Sequence, residues 1–497
     1  MRSLRKDVVV LLILFTAGTA CAQTNELPRS TPEAEGVSSK RIGVFLDSII
    51  RYPVYQIHSV MVLRHGKVIA EAYPKPFADK YKHTMFSCSK TFISAAVGLA
   101  WADNRLRLTD RVAVFFPAEM PDSISPNLSA MTVRDLLTMS SGIEPDWDLR
   151  SQATEWIPQL FAKDVLTPGK TFRYDSFCTY LLSAIVQKVT GMKVLDYLKL
   201  KLFNVMHITD VEWEESPEGY NTGGWGLYIQ PESMAKFGQL LLRGGEWKGK
   251  QLLPHDWVVQ MMSKQIDNGG EGYGYQMWIC EDRRSVRADG AFGQYIVLSP
   301  DKDMVVVITE CSLKTPLHNI FSLLLPAVTD QVDKSRKEFA RLMKKINGYA
   351  YPCVQGKAGS PEENALFEHP IEMGENEFGW TSLEVRRHNR QLMLRITDKG
   401  GRSYELPLGY GQWLTASTSM HPPYTVWAKD RFKGIAGPFA AAGCYAWTDR
   451  FTFDFKLQFV DWYSALEVSM TLTEKGAALK IRRNYAEEPI SIQGIFK

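Results

Sequence analysis

The chain has 497 residues, 45% of them apolar, which is more than one typical core holds and far from the composition of a disordered chain. Lysine and arginine total 58 against 55 for aspartate and glutamate. A balance so close to neutral speaks against nucleic acid or an anionic membrane surface as the main partner.

Arg2, Arg5 and Lys6 precede the apolar run Val8 to Ala17 and the small-x-small triplet Ala20-Cys21-Ala22. That layout predicts an export signal over residues 1–22 and a periplasmic or secreted mature chain. Lipoprotein processing at Cys21 is the rival reading, although Gly18 occupies the position three before that cysteine where a leucine is usual. Loss of the segment removes three basic residues and Asp7, leaving 55 basic against 54 acidic side chains. No later apolar run is long enough to span a bilayer. The remaining cysteines, Cys88, Cys178, Cys280, Cys311, Cys353 and Cys444, are spaced too widely for a disulfide scaffold or a zinc site. Most are expected to be buried; Cys353 and Cys444 are candidates for a disulfide that the sequence leaves undecided.

Residues 23 to about 40 read as a polar arm. Ser59 to Glu71 predicts two strands joined at His65-Gly66. Thr91 to Trp101 is apolar nearly all round, the mark of a buried helix. Thr132 is a plausible helix cap, and residues 176–190 predict an apolar helix ended by Gly191. A helix is expected between Gly223 and Gly245, capped near Ser233. Tyr273–Trp278, Gln294–Leu298 and Met304–Thr309 read as strands, and residues 316–332 as a closing helix. Strands at both ends with helices between them imply an α+β domain over 23–332, with an antiparallel sheet built from its two termini. Residues 333–349 form a charged helix or linker. Beyond 350 apolar and polar residues alternate, as in Phe453, Phe455, Leu457 and Phe459, which predicts an all-β barrel or sandwich over 350–497. Trp380, Trp413, Trp427, Trp447 and Trp462 are expected in its core.

Ser-x-x-Lys occurs four times, at Ser3, Ser87, Ser233 and Ser299. Ser3 leaves with the signal segment, Ser299 sits in a Pro-Asp turn, and Ser233 reads as a helix cap. Ser87 alone stands before an apolar helix that would desolvate its lysine, Lys90. A lysine amine held near neutrality beside a hydroxyl is a means of activating it; a capping role is the plainer alternative. No Gly-x-Ser-x-Gly elbow and no His-Glu-x-x-His pair is present. His83 lies close to Ser87 in sequence without further support as a base.

Five stretches together resemble the serine β-lactamase and penicillin-binding-protein superfamily, in its class C and esterase-like branch, which holds the 6-aminohexanoate-dimer hydrolases. They are Phe86–Lys90, Met131–Gly142, Pro168–Ser176 with Thr190-Gly191, Gly223–Leu227 with Met234–Gly238, and Gly290–Val297 with Pro300. The resemblance implies a β-lactamase-like sheet flanked by helices with an α-helical subdomain. It also implies acylation of Ser87, Lys90 and Tyr174 as general base, and an oxyanion hole of the Ser87 and Ala291 backbone N–H groups. No cofactor or metal is implied. Residues 350–497 resemble the lipocalin-like β appendages of such hydrolases, with a role in covering the active site or in dimerisation conceivable.

Two departures bear on the substrate. Ser176 stands where the Tyr-x-Asn motif has its asparagine, and Ala288-Asp289-Gly290 replaces Lys-Thr-Gly. Ala288 cannot hold a substrate carboxylate, and Arg287 is expected on the opposite strand face. Ser176, Asp289 and Gly290 are the expected substrate contacts, with Asp289 a candidate selector of a cationic or hydroxylated group. The implied substrate is a small ester or amide without an anionic handle. The alternatives are a β-lactamase or D-Ala-D-Ala carboxypeptidase, and a catalytically degenerate cell-wall or carbohydrate binder.

Overall fold

Strands from the two ends of the first domain meet in one sheet. A computed structural model describes residues 26–329, 332, 335–388 and 391–497. The predicted signal segment, with Cys21, lies outside the described residues. The six-stranded antiparallel sheet runs in the order Lys67–Ala72, Ile57–Arg64, Met304–Glu310, Gln294–Ser299, Val286–Gly290, Trp278–Ile279. Its central strands are buried on both faces. Val60 and Val62 join one hydrophobic cluster with Phe45, Leu46, Leu324 and Ile346, while Met61 and Leu63 join another with Phe92 and Phe237. This is the period of two expected when helices cover both sides.

Several elements differ from the sequence reading. The polar arm ends early: a helix begins at Ser39, N-capped by Ser38, and Leu27 is buried. Between Gly223 and Gly245 the helix covers only Pro231–Leu242, behind a strand at Leu227–Ile229. Pro231 suits the first turn, where no N–H partner is needed, and Ser233 makes no cap. Tyr273–Gln276 form no strand; pairing in that segment is reduced to Trp278–Ile279 and isolated bridges at Tyr273. The closing helix spans residues 317–327 as consecutive α, π and 3-10 turns and stops short of the expected 332. The Arg336–Asn347 helix is more than a linker. It packs on the Ser39–Ile50 helix, with Lys345 and Tyr349 bonded to Asp47.

The C-terminal domain is a closed barrel. Nine of the ten strands from Ile371–Met373 to Ile490–Phe496 pair antiparallel around the ring, one parallel contact between Ser403–Tyr410 and Phe439–Trp447 closes it, and the tenth, Leu414–Thr418, pairs with Phe439–Trp447. Closure removes the exposed edges that a sandwich would keep. All six described cysteines are free thiols, with Cys353 and Cys444 side by side. Trp380, Trp447 and Trp462 are buried and Trp413 is half-buried, but Trp427 is 57% exposed and lies outside the barrel core.

The two domains share one hydrophobic cluster. Trp462 and Tyr463 of the barrel pack on Tyr228, Phe86 and Phe292 of the first domain, at ring separations of 5.5, 4.9 and 5.1 Å. A strap, residues 419–438, leaves the barrel and runs over the first domain, with the Lys433 carbonyl accepting from Glu215 N–H and Ala436 N–H donating to Glu212. Glu214 is fully buried there, accepting from Trp225 Nε1 at 3.0 Å and from Tyr424 Oη at 3.5 Å. Burial pushes its carboxyl up to about 7.

The unfolded carboxyl titrates near 4.5, so between that pH and about 7 the native chain holds a proton the unfolded chain has lost. Stability from this group therefore falls as pH rises through that window and stays low above it. Compared with Glu214→Gln, which cannot titrate, the wild type is expected to lose melting temperature between about pH 5 and about pH 7. Equal pH dependence in the two proteins would contradict a neutral buried carboxyl.

Candidate active site

Ser87 lies in a short 3-10 turn, Phe86–Cys88, that feeds the Ser89–Ala102 helix. Its side chain caps nothing; the capping alternative is not what the structure shows. The turn is pinned from three sides. Cys88 Sγ donates to the Gln294 carbonyl at 3.0 Å, Ser89 Oγ accepts from Leu227 N–H at 3.1 Å, and Met85 N–H donates to the Leu227 carbonyl at 2.9 Å. Phe86 has a left-handed backbone, φ 44°, a conformation that costs about 1 kcal/mol for a residue with a Cβ. Its ring is held against Phe292, Tyr424 and Tyr463 at 5.4, 5.9 and 4.9 Å. Contacts of that kind, worth about 0.5–1.5 kcal/mol each, are enough to offset the strain.

Lys90 is 1% exposed on the first turn of the helix. Its Nζ lies 2.9 Å from Ser87 Oγ, 2.9 Å from Ser176 Oγ and 2.6 Å from the Gly224 carbonyl. It forms no ion pair among the described residues, and burial brings its pKa down to about 7. A neutral amine has two N–H groups and one lone pair. Gly224 and Ser176 can take the donors, which leaves the lone pair for the Ser87 hydroxyl. Ser176 opens the Ser176–Thr190 helix, whose first turn is capped by Asp175 through Phe177 N–H. Gly224 approaches so closely that a Cβ there would lie 2.6 Å from the Ser176 carbonyl oxygen.

The Tyr174 ring stands 4.9 Å from Lys90 Nζ, with the Ser87 side chain beside its hydroxyl. Burial raises its pKa, so the phenol keeps its proton at neutral pH. The mutual stabilisation of ammonium and phenolate is thus outweighed by desolvation: at neutral pH the phenol is protonated and the amine divides between its charged and neutral forms.

Ser87, Tyr174, Ser176, Asp289 and Ala291 line one cavity of about 590 Å³. Gly290 does not line it. A Cβ on Gly290 would meet the Met85 carbonyl at 2.4 Å, so this residue lets the Val286–Gly290 strand close on the Ser87 turn. The expected orientation of Arg287 is overturned. Ala288 points into the core, and Arg287 and Asp289 share the face that lines the cavity, Arg287 Nε donating to Asp289 at 2.8 Å. Strand alternation did separate Arg287 from Ala288, but the cavity lies on the arginine side. His83 bonds to His58 at 2.9 Å and is 2% exposed, away from any role beside Ser87. Ser233 and Lys236 are both buried, yet Lys236 Nζ donates to the His207 carbonyl.

Six further residues line the cavity: Trp147, Arg150, Trp225, Trp278, Thr425 and Val426. Trp225 falls inside the Gly223–Leu227 stretch and was open to notice there. Thr425 and Val426 come from the strap of the second domain, and no local signal relates them to Ser87.

A six-stranded sheet with a serine–lysine pair at the foot of a buried helix defines the serine β-lactamase and penicillin-binding-protein superfamily. The β-lactamase family model matches residues 54–315, and the chain belongs to that family. It is 24% identical over 277 residues to 6-aminohexanoate-dimer hydrolase of Paenarthrobacter ureafaciens, the match spanning 50% of this chain and 70% of that one. A stretch of 72 residues is 36% identical to the mitochondrial serine β-lactamase-like protein LACTB of Homo sapiens, 14% of this chain and 13% of that one. Among solved structures, a Bacillus anthracis protein described as a 6-aminohexanoate-dimer hydrolase superposes with a TM-score of 0.50 at 20% identity, over 60% of this chain and 85% of its own. The chain thus stands among hydrolases of the β-lactamase fold. Among the described residues no helix is long and apolar enough to cross a membrane.

Gly224→Ala would push Ser176 and the Gly224 carbonyl away from Lys90. It is expected to slow fluorophosphonate labelling of Ser87 roughly 10-fold or more, since displacements of about 1 Å have effects of that order or larger. Unchanged labelling would show that the amine does not depend on this contact.

Proposed function

We propose that the protein is an exported serine hydrolase that cleaves a small ester or amide through an acyl-enzyme on Ser87. The observation that carries this reading is the buried, unpaired Lys90 amine 2.9 Å from Ser87 Oγ. A lysine desolvated to this degree serves a fold poorly unless its neutral form has work to do.

Ser87 Oγ attacks the substrate carbonyl carbon while its proton passes to Lys90 Nζ. Charge on the carbonyl oxygen is taken by the Ser87 and Ala291 backbone N–H groups. As the bond to the leaving oxygen or nitrogen breaks, Tyr174 donates its proton to that atom and is reprotonated from Lys90. Water then adds to the ester carbon along the same path in reverse, releasing the acid and free Ser87. Ser176 keeps one amine hydrogen engaged and so aims the lone pair.

Fluorophosphonate treatment is expected to give one adduct, on Ser87, absent in Ser87→Ala. Absence of any adduct on a folded protein would favour the binding-protein alternative, and labelling by a fluorescent penicillin the β-lactamase or carboxypeptidase one. Turnover of short p-nitrophenyl esters is expected to fall by about 10²–10⁴ in both Lys90→Ala and Tyr174→Phe. Because the base is the neutral amine, kcat/KM is expected to rise with pH through about 7. A flat profile from about pH 5 to about pH 9 would remove Lys90 from the base role.

A further inference from the structure

The cavity holds two guanidinium groups and one carboxylate, and the charges do not balance. Arg287 and Asp289 neutralise one another across 2.8 Å. Asp289 is therefore engaged, and its candidacy as a selector of cations loses its footing. Arg150 is different. Its guanidinium carbon sits 5.2 Å from the Trp147 ring and 5.4 Å from the Trp225 ring, both of which line the cavity. Nε donates to the Trp147 carbonyl at 2.8 Å. Among the described residues no hydrogen bond or ion pair engages Nη1 or Nη2. Of the two nearby carboxyls, Glu214 is held by Trp225 and Tyr424, and Asp148 acts on Arg150 only through space, its carboxylate forming no hydrogen bond or ion pair with the guanidinium among the described residues. The backbone of Arg150 is also fixed from the second domain, since its carbonyl accepts from Lys429 N–H of the strap at 2.7 Å.

Resting on the hydrolase reading, we propose that Arg150 is the specificity residue of this site and that the substrate is an ester or amide carrying a carboxylate, which docks on the free Nη1–Nη2 edge of the Arg150 guanidinium. A planar guanidinium held between two indoles is pre-organised for bidentate pairing with a carboxylate. Desolvation by the indoles strengthens such a pair relative to one in water. The site thus regains a cationic anchor for a carboxylate, from a residue unrelated to the missing Lys-Thr-Gly lysine.

The test compares three esters of similar size: p-nitrophenyl butyrate, mono-p-nitrophenyl succinate with a carboxylate on the acyl side, and 4-carboxyphenyl butyrate with one on the leaving group. The wild type is expected to favour one of the two anionic esters over the neutral one by about 10-fold or more in kcat/KM, the range of a charge-assisted pair. Arg150→Gln should abolish that ratio and Arg150→Lys should keep part of it. The same ratio in wild type and Arg150→Gln overturns the proposal. Failure of the hydrolase reading is told apart by binding: methyl hydrogen succinate is titrated against Ser87→Ala by tryptophan fluorescence, with dimethyl succinate as the neutral control. Saturable binding of the anion alone, weakened about 10-fold or more by Arg150→Gln, supports the proposal even if no ester turns over. Absence of saturable binding, or affinity indifferent to Arg150→Gln, overturns it.

Discussion

An amine kept from water governs the arrangement of the first domain. Lys90 can sit 1% exposed only because three oxygens reach it, and each comes from a different part of the chain. Ser87 arrives on a strained turn, Ser176 on the first residue of a helix, and the Gly224 carbonyl on a loop with no room for a side chain. Loss of any one would leave a buried polar atom short of a partner, at about 1–3 kcal/mol. The same exclusion of water that lowers the amine's pKa raises that of Tyr174. One environment thus lets an amine lose its proton near neutral pH and makes a phenol keep its own.

What the sequence made legible followed from periodicity and from ordered motifs. The Thr91–Trp101 run is apolar on every side, and the helix it forms is buried nearly throughout. The strands at 57–72 and 294–310 show alternation or continuous apolar runs, and they pair as the two ends of one sheet. Elements defined by context were harder to read. Tyr273–Gln276 has the composition of a strand but turns away after isolated bridges. Ser233 and Lys236 satisfy the same spacing as Ser87 and Lys90 and are also buried; only the position of the His207 carbonyl shows that Lys236 is occupied elsewhere.

The cavity was the least legible part. Ala288, Asp289 and Gly290 were visible as a departure from a motif, yet which strand face meets the cavity depends on the sheet's placement against the Ser87 turn. Pairing of Arg287 with Asp289 is a matter of two residues on one strand, and it changes the charge that a substrate meets. The contribution of Thr425 and Val426 depends on how a barrel docks on another domain, information that no local pattern contains.

The strap has a consequence for synthesis. A chain made from its N-terminus completes Ser87, Lys90 and Tyr174 well before residues 419–438 exist, and the strand that anchors the strap, Phe439–Trp447, comes later still. Domains of this kind fold in order as they emerge. A nascent first domain would therefore possess Ser87, Lys90 and Tyr174 with one wall of the cleft missing. Only after the second domain closes its ring does the cleft take its final shape, so the outline of the cavity matures later than the cluster around Lys90.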